Sequence, residues 1–171
     1  GQATGCHVGF VDEGQPFVIP TASARTNDHA YIHGSRVSRM LKLLIAGNPA
    51  RITVTLLDGI VVARSAFNSS MNYRSVVILG SGEKVTGEDK KIALDAFTEH
   101  LIPGRTQDIR ASKPKELAAT TVVRFDLDEA SVKVSEGPPS DEKSDYESDV
   151  WAGVIPLELK SGKPQSDPRL K

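Results

Sequence analysis

The sequence predicts a mainly-β, α+β protein: an antiparallel barrel with two or three peripheral helices. Three observations carry that reading. Short apolar runs with strand character follow one another through most of the 171 residues, joined by Gly-, Pro-, Asn- and Asp-bearing connections. Helical spacing is confined to a few segments inserted between them. Sequential antiparallel strands in this number, six to eight, close on themselves because closure removes exposed edges.

The elements follow in order. "CHVGFV", the turn "DEGQ" and "PFVIPT" form a first hairpin, and "ASAR", "TNDH" and "AYIHG" a second. A helix is expected from Ser35 to Ala46, its apolar stripe made by Val37, Met40, Leu41 and Leu44, with Gly47 and Pro49 ending it. "RITVTLL" alternates as a strand. Asp58-Gly59 then allows either a hairpin turn or a bulge within one long strand continuing into "IVVARSA". "FNSSMNYR" reads as a polar loop before the strand "RSVVILGSG". Thr86 caps a second helix whose apolar face holds Leu94, Phe97 and Leu101, and Pro103-Gly104 ends it. Ser112 and Pro114 open a short third helix, "KPKELAA". "TVVRFDLD", "ASVKVSEG" and "VWAGVIPLEL" are the last strands. Residues 136–149 form an acidic surface loop and 160–171 a tail, within a single domain spanning 1–171.

Composition bounds the function. Hydrophobic content of 39%, charged content of 25% and a net charge of −1 describe a globular protein and argue against non-specific nucleic-acid binding. No apolar run reaches the roughly 20 residues of a membrane span. The single cysteine, Cys6, excludes an internal disulfide and reads as a small buried hydrophobe. The four histidines, His7, His29, His33 and His100, lack the spacing of a helical zinc site, so no metal centre is expected from them. A reducing, cytoplasmic setting follows. The sequence begins at Gly1 rather than Met, and a preceding segment is expected.

Chemistry concentrates in four places. In "HGSRVSRML", Gly34 allows close backbone approach, Ser35 and Ser38 supply hydroxyls and Arg39 a guanidinium fork, a set suited to phosphate at a helix N-terminus. On these residues alone, a capped helix with solvent-facing arginines is the simpler account, and His33 reads as a hydrogen-bonded structural residue. Asn72, Tyr73, Arg74 and Ser75 form a second polar group, in which Arg74 needs an anion or a cross-strand carboxylate. Trp151 beside an Ala-Gly pair suits either packing or a wall against a flat ring. Pro20 interrupts the "VIPTA" strand and leaves backbone groups near Thr21 and Ala22 open to a heteroaromatic ligand. The GxSxG elbow, the P-loop and the dinucleotide fingerprint are all missing, and no carboxylate pair stands out; catalytic residues stay unknown.

The blocks "HGSRVSRML" and "SMNYRSV", in the order "CHVGFV…IPTA…YIHGSRVSRML…TEHLIPGR…KPKEL…VWAGVIPL", are similar to one family. From about Cys6 to Leu159 the chain resembles the flavin-nucleotide-binding proteins related to pyridoxamine 5′-phosphate oxidase, including the nitroimidazole-resistance branch. The resemblance implies an antiparallel split β-barrel that forms a homodimer, with FMN in a groove between the subunits. It also implies that Pro20, Thr21 and Ala22 lie along the flavin, and that His33, Gly34, Ser35, Ser38 and Arg39 receive the phosphate. Asn72, Tyr73, Arg74 and Ser75 would complete the ribityl pocket, and Trp151 would approach from the partner subunit. Nothing matches the substrate-phosphate arginine–histidine pairing of the true oxidases, which argues against vitamin B6 oxidation. The function expected is an FMN-dependent oxidoreductase reducing a small electrophile with a nicotinamide donor. The alternatives are a non-catalytic flavin carrier or sensor, and a groove that holds haem with His33 or His7 on the iron.

Overall fold

In the computed structural model, which describes residues 3–170, two compact units emerge. The first holds the chain up to Leu56 together with Arg74–Lys133, the second Leu57–Tyr73 and the chain from Val134 onward. Nine strands and three α-helices make up the regular structure of the described residues: β1 Gly5–Asp12, β2 Gln15–Thr26, β3 His29–Ser35, α1 Arg39–Ile45, β4 Pro49–Val62, β5 Ser70–Ser81, β6 Glu83–Val85, α2 Gly87–Leu101, α3 Pro114–Ala119, β7 Thr120–Asp126, β8 Ala130–Ser135 and β9 Gly153–Pro156. Strand order is β6-β7-β3-β2-β1-β4-β5-β8, with β9 paired to β4. β1 runs antiparallel to both β2 and β4, as β3 does to β2 and β7.

Both expected hairpins form. Asp12 pairs with Gln15, and Glu13 and Gly14 between them have φ of 49° and 82°, the two positive values that match strand twist. The second turn closes between Thr26 and His29, with Asn27 at φ 52°. Strand alternation then sorts side chains. Cys6, Val8 and Phe10 of β1 are buried while His7 is exposed. Met40, Leu41 and Leu44 of α1 meet them in a core with Ile32, Ile52, Ile78, Val123 and Phe125. A smaller cluster of Val85, Ala93 and Val122, joined by Tyr31 and Leu94, seats α2. Gly82 has no room for a side chain, since a Cβ there would stand 2.4 Å from Val123 Cγ1 and 3.1 Å from Phe125 Cζ.

Several boundaries differ from the expected ones. α1 begins at Arg39 rather than Ser35, because β3 continues through Ser35 in register with Thr120 of β7. Val37 therefore precedes the helix and is exposed, outside the apolar stripe. Asp58-Gly59 is the interior of one long strand, and Gly59 is needed there because a Cβ would meet Val154 Cγ1 at 2.9 Å. Strand β5 starts at Ser70, so Met71–Arg74 are paired backbone and not the expected loop. Thr86 takes the N-cap position of α2 with no side-chain bond, and Lys113 rather than Ser112 caps α3. The last strand shrinks to the four residues Gly153–Pro156.

In the second unit, the acidic segment is fixed by one carboxylate. Asp141 Oδ1 accepts the backbone N–H of Arg64 at 2.9 Å and Oδ2 accepts Nη1 at 3.0 Å. Its side chain is 0% exposed, and the Arg64 guanidinium lies 5.0 Å from the Tyr146 ring centroid. Asn72 Nδ2 donates to Gly137 O at 3.0 Å. Among the described residues, no helix is long and apolar enough to cross a membrane.

Candidate functional site

β3 presents two different faces. Ile32 and Gly34 share the face of the core, where a Cβ on Gly34 would stand 3.2 Å from Leu41 Cδ1. Gly34 is thus explained by Leu41. His33 takes the opposite face, with Tyr31, toward α2. Its ring meets Phe97 edge-on at 4.3 Å between centroids. Its Nδ1 is buried without a hydrogen-bond partner, and burial alone pushes its pKa below the usual histidine value, so the imidazole is neutral at neutral pH.

His33 lines a cleft of about 650 Å³ that sequence reasoning missed. Its apolar walls are Leu94, Phe97, Leu101, Ile109 and Leu117, and the segment 102–113 between α2 and α3 supplies much of the rest. That segment holds only a 3₁₀ turn at Arg105–Gln107 and is pinned at both ends by carboxylates. Glu99 accepts the N–H groups of Gly104 at 2.6 Å and Thr106 at 2.9 Å, and the Thr106 hydroxyl as well. Glu116 accepts Arg110 Nη1 at 2.9 Å, Arg110 Nη2 at 2.6 Å and the N–H of Lys113 at 2.8 Å. One signal was present in the sequence: the apolar face of α2 is longer than its core contact, and Leu101 is left 54% exposed.

The Arg110 hydrogen bonds, with that of Lys113, hold the Glu116 carboxyl at about 2, against an ordinary 4.5. A depressed carboxylate pKa stabilises above the unfolded value and is lost on descent to the folded one. The bond to Lys113 is therefore expected to persist down to pH 4.5 and to fail as pH falls through about 2. Acid titration followed by NMR would show the Glu116 carboxyl and the Lys113 amide moving together in that window; a Glu116 midpoint near 4.5 would refute it.

The other expected site residues are dispersed along the chain as follows. Pro20, Thr21 and Ala22 pair with His7, Cys6 and Gly5 on one side. On the other side β3 runs beside β2 only from Ser23 to Thr26, so the backbone around Pro20 has no strand partner there among the described residues. β2 itself runs unbroken through Pro20, so the interruption expected there does not occur. Ser35 is exposed at the end of β3, and its Oγ accepts the N–H of Val37 at 3.4 Å. Ser38 caps α1 by accepting the N–H of Leu41 at 3.4 Å. Arg39 is paired with Asp12 at 3.2 Å and lies over the Phe17 ring at 4.4 Å. With only seven residues in α1 and Arg39 already matched to a carboxylate, the helix start is a weaker anion grip than its sequence suggests. Asn72, Tyr73, Arg74 and Ser75 lie in β5, the first two in the second unit and the last two in the first. Trp151 precedes β9 and is 62% exposed, its indole over Gly153, where a Cβ would stand 2.9 Å from Cζ2.

Residues 1–134 match the family described as pyridoxamine 5′-phosphate oxidase. The chain belongs to that family. Among solved structures of the same build, an FAD- and haem-binding protein from Mycobacterium smegmatis is 42% identical, with a TM-score of 0.95, over 98% of this chain and 83% of its own. A flavocytochrome from Azotobacter vinelandii is 43% identical, with a TM-score of 0.90, over 97% and 78%. A candidate 5-nitroimidazole antibiotic resistance protein from Bacteroides thetaiotaomicron is 27% identical, with a TM-score of 0.62, over 77% and 76%. No curated protein matches. The strand order and three helices thus belong to the split β-barrel of the pyridoxamine 5′-phosphate oxidase family.

Proposed function

We propose that this member of the pyridoxamine 5′-phosphate oxidase family is a redox protein that binds a flavin nucleotide and haem. Haem would occupy the cleft between α2 and α3, with His33 on the iron. The observation that carries this reading is the His33 imidazole: neutral, with a buried and unpartnered Nδ1, on the wall of a cleft of about 650 Å³ lined by both apolar and polar side chains. A neutral imidazole is what an iron ligand must be. A flat apolar macrocycle with peripheral carboxylates suits walls of Leu94, Phe97, Leu101, Ile109 and Leu117 with Arg110 and Lys91 among the lining residues. His7, the other histidine considered, is exposed on β1 and lines no such cleft.

The flavin is supported by the family and by the relatives at 42% and 43% identity, one binding FAD and haem and the other a flavocytochrome. The open edge of β2 at Pro20–Ala22 offers backbone groups to its ring, and Ser35, Arg36 and Arg39 offer donors for phosphate. FAD is preferred to the FMN expected from sequence, since the named relative binds FAD. Bound flavin and haem would supply the electron chemistry; the chain's part is to hold each one, exclude water and keep His33 neutral. Reduction of a small electrophile with a nicotinamide donor is the activity we assign to the flavin half, in the cytoplasm. We assign a homodimer as well, supported by exposed Leu57, Met71, Val150, Trp151 and Ile155 in the second unit, and sedimentation at the monomer mass of 18.4 kDa would count against it.

The absorption spectrum of the purified protein tests the reading. Flavin bands, FAD by mass spectrometry and a Soret band on adding haem are expected. A colourless protein that takes up neither ligand would sink it.

A further inference from the structure

We propose that Arg110 is the specificity residue of the α2–α3 cleft, taking a peripheral carboxylate of the bound ligand in exchange for Glu116. The proposal rests on the haem reading of that cleft. Both residues line it. Arg110 already holds a carboxylate in the two-point geometry that guanidinium favours, Nη1 to Oε2 at 2.9 Å and Nη2 to Oε1 at 2.6 Å. The partner it holds is replaceable. Both side chains are about half exposed, at 61% and 47%, and an exposed pair contributes little to stability. Glu116 would not be stranded by the exchange, because it keeps the N–H of Lys113 at 2.8 Å.

Arg110 can also move without breaking an element. It lies beyond the 3₁₀ turn Arg105–Gln107 and before α3, on the segment that Glu99 and Glu116 pin at its two ends. The other cation on the cleft, Lys91, is a point charge bonded to Glu88 at 2.6 Å and has no fork to offer. A cleft with an imidazole on one wall and an exchangeable guanidinium among its lining residues therefore selects a ring ligand carrying a carboxylate over its uncharged analogue. The carboxylate of Glu116 is the internal competitor, which sets opposite signs for the two substitutions at this pair.

The test titrates haem and haem dimethyl ester into the 171-residue chain and follows the Soret band. Arg110→Gln is expected to weaken haem about tenfold and leave the diester unchanged, the effect of one charge-assisted contact. Glu116→Gln keeps an acceptor for Lys113, and is expected to tighten haem a few-fold, roughly the reverse of that loss, again with no effect on the diester. Equal haem affinity in the wild-type and Arg110→Gln proteins overturns the proposal. So does an equal loss for haem and diester, which would mean that Arg110 only shapes the segment. No Soret band in the wild-type chain overturns the haem reading itself, so the two failures are distinguishable.

Discussion

A His33→Ala variant is expected to lose at least about a hundredfold in haem affinity while folding as the wild type does. Removing the partner of a metal-bound histidine typically costs 10–100-fold, and removing the ligand itself costs no less. The fold should survive because the substitution breaks nothing the protein relies on. Nδ1 of His33 has no hydrogen-bond partner to lose. The packing of β3 rests on Ile32, which is 0% exposed on the opposite face, and on the pairing of His29–Ser35 with Thr120–Asp126. What disappears is an imidazole-sized volume beside Phe97. Added imidazole should enter it and restore part of the Soret shift. Circular dichroism, haem titration and imidazole rescue together separate this from a structural role. A variant whose haem spectrum and affinity match the wild type would exclude His33 as ligand.

The second large effect is structural. Asp141→Ala is expected to destabilise the second unit by about 3–5 kcal/mol, the usual cost of leaving one member of a buried ion pair without its partner. Asp141 is fully buried and satisfies both the backbone N–H and Nη1 of Arg64, whose Nε already lacks a partner. Without the carboxylate, the guanidinium keeps the face of Tyr146 among the described residues. Trp151, the single tryptophan, lies in the same unit, so its fluorescence reports this unfolding directly. A denaturant midpoint unchanged from the wild type would show that the pair contributes nothing. The double substitution Arg64→Met with Asp141→Leu should recover only part of the loss, since it removes both charges but leaves the backbone N–H at position 64 without its acceptor.

The hairpins, the core of β1 and α1 and the three helices were legible because they depend on local periodicity and turn chemistry. The Val8/Phe10 alternation and the Met40, Leu41, Leu44 spacing are short-range patterns that tertiary packing then reinforces. Boundaries set by partners from elsewhere in the chain were not legible. Nothing near Ser35 announces that Thr120 will keep it in a strand, so the helix was placed too early. Nothing in "SMNYR" separates a polar loop from a polar strand. The acidic segment offered no apolar residue, yet one of its carboxylates is fully buried, because the charge it neutralises is 77 residues away. The cleft was illegible for the same reason: His33, Phe97, Arg110 and Leu117 come from three separate elements and a connecting segment. The pairing of Arg39 with Asp12 was not legible either, because the two residues lie in different elements.

The alternation along β3 sets a condition on assembly. A slip of one residue against β7 would turn the His33 imidazole into the core and put Ile32 into the cleft, so the slipped chain could neither bury its apolar side chains nor present His33 to the proposed haem. A ligand held by His33 adds its binding free energy to the correct register alone.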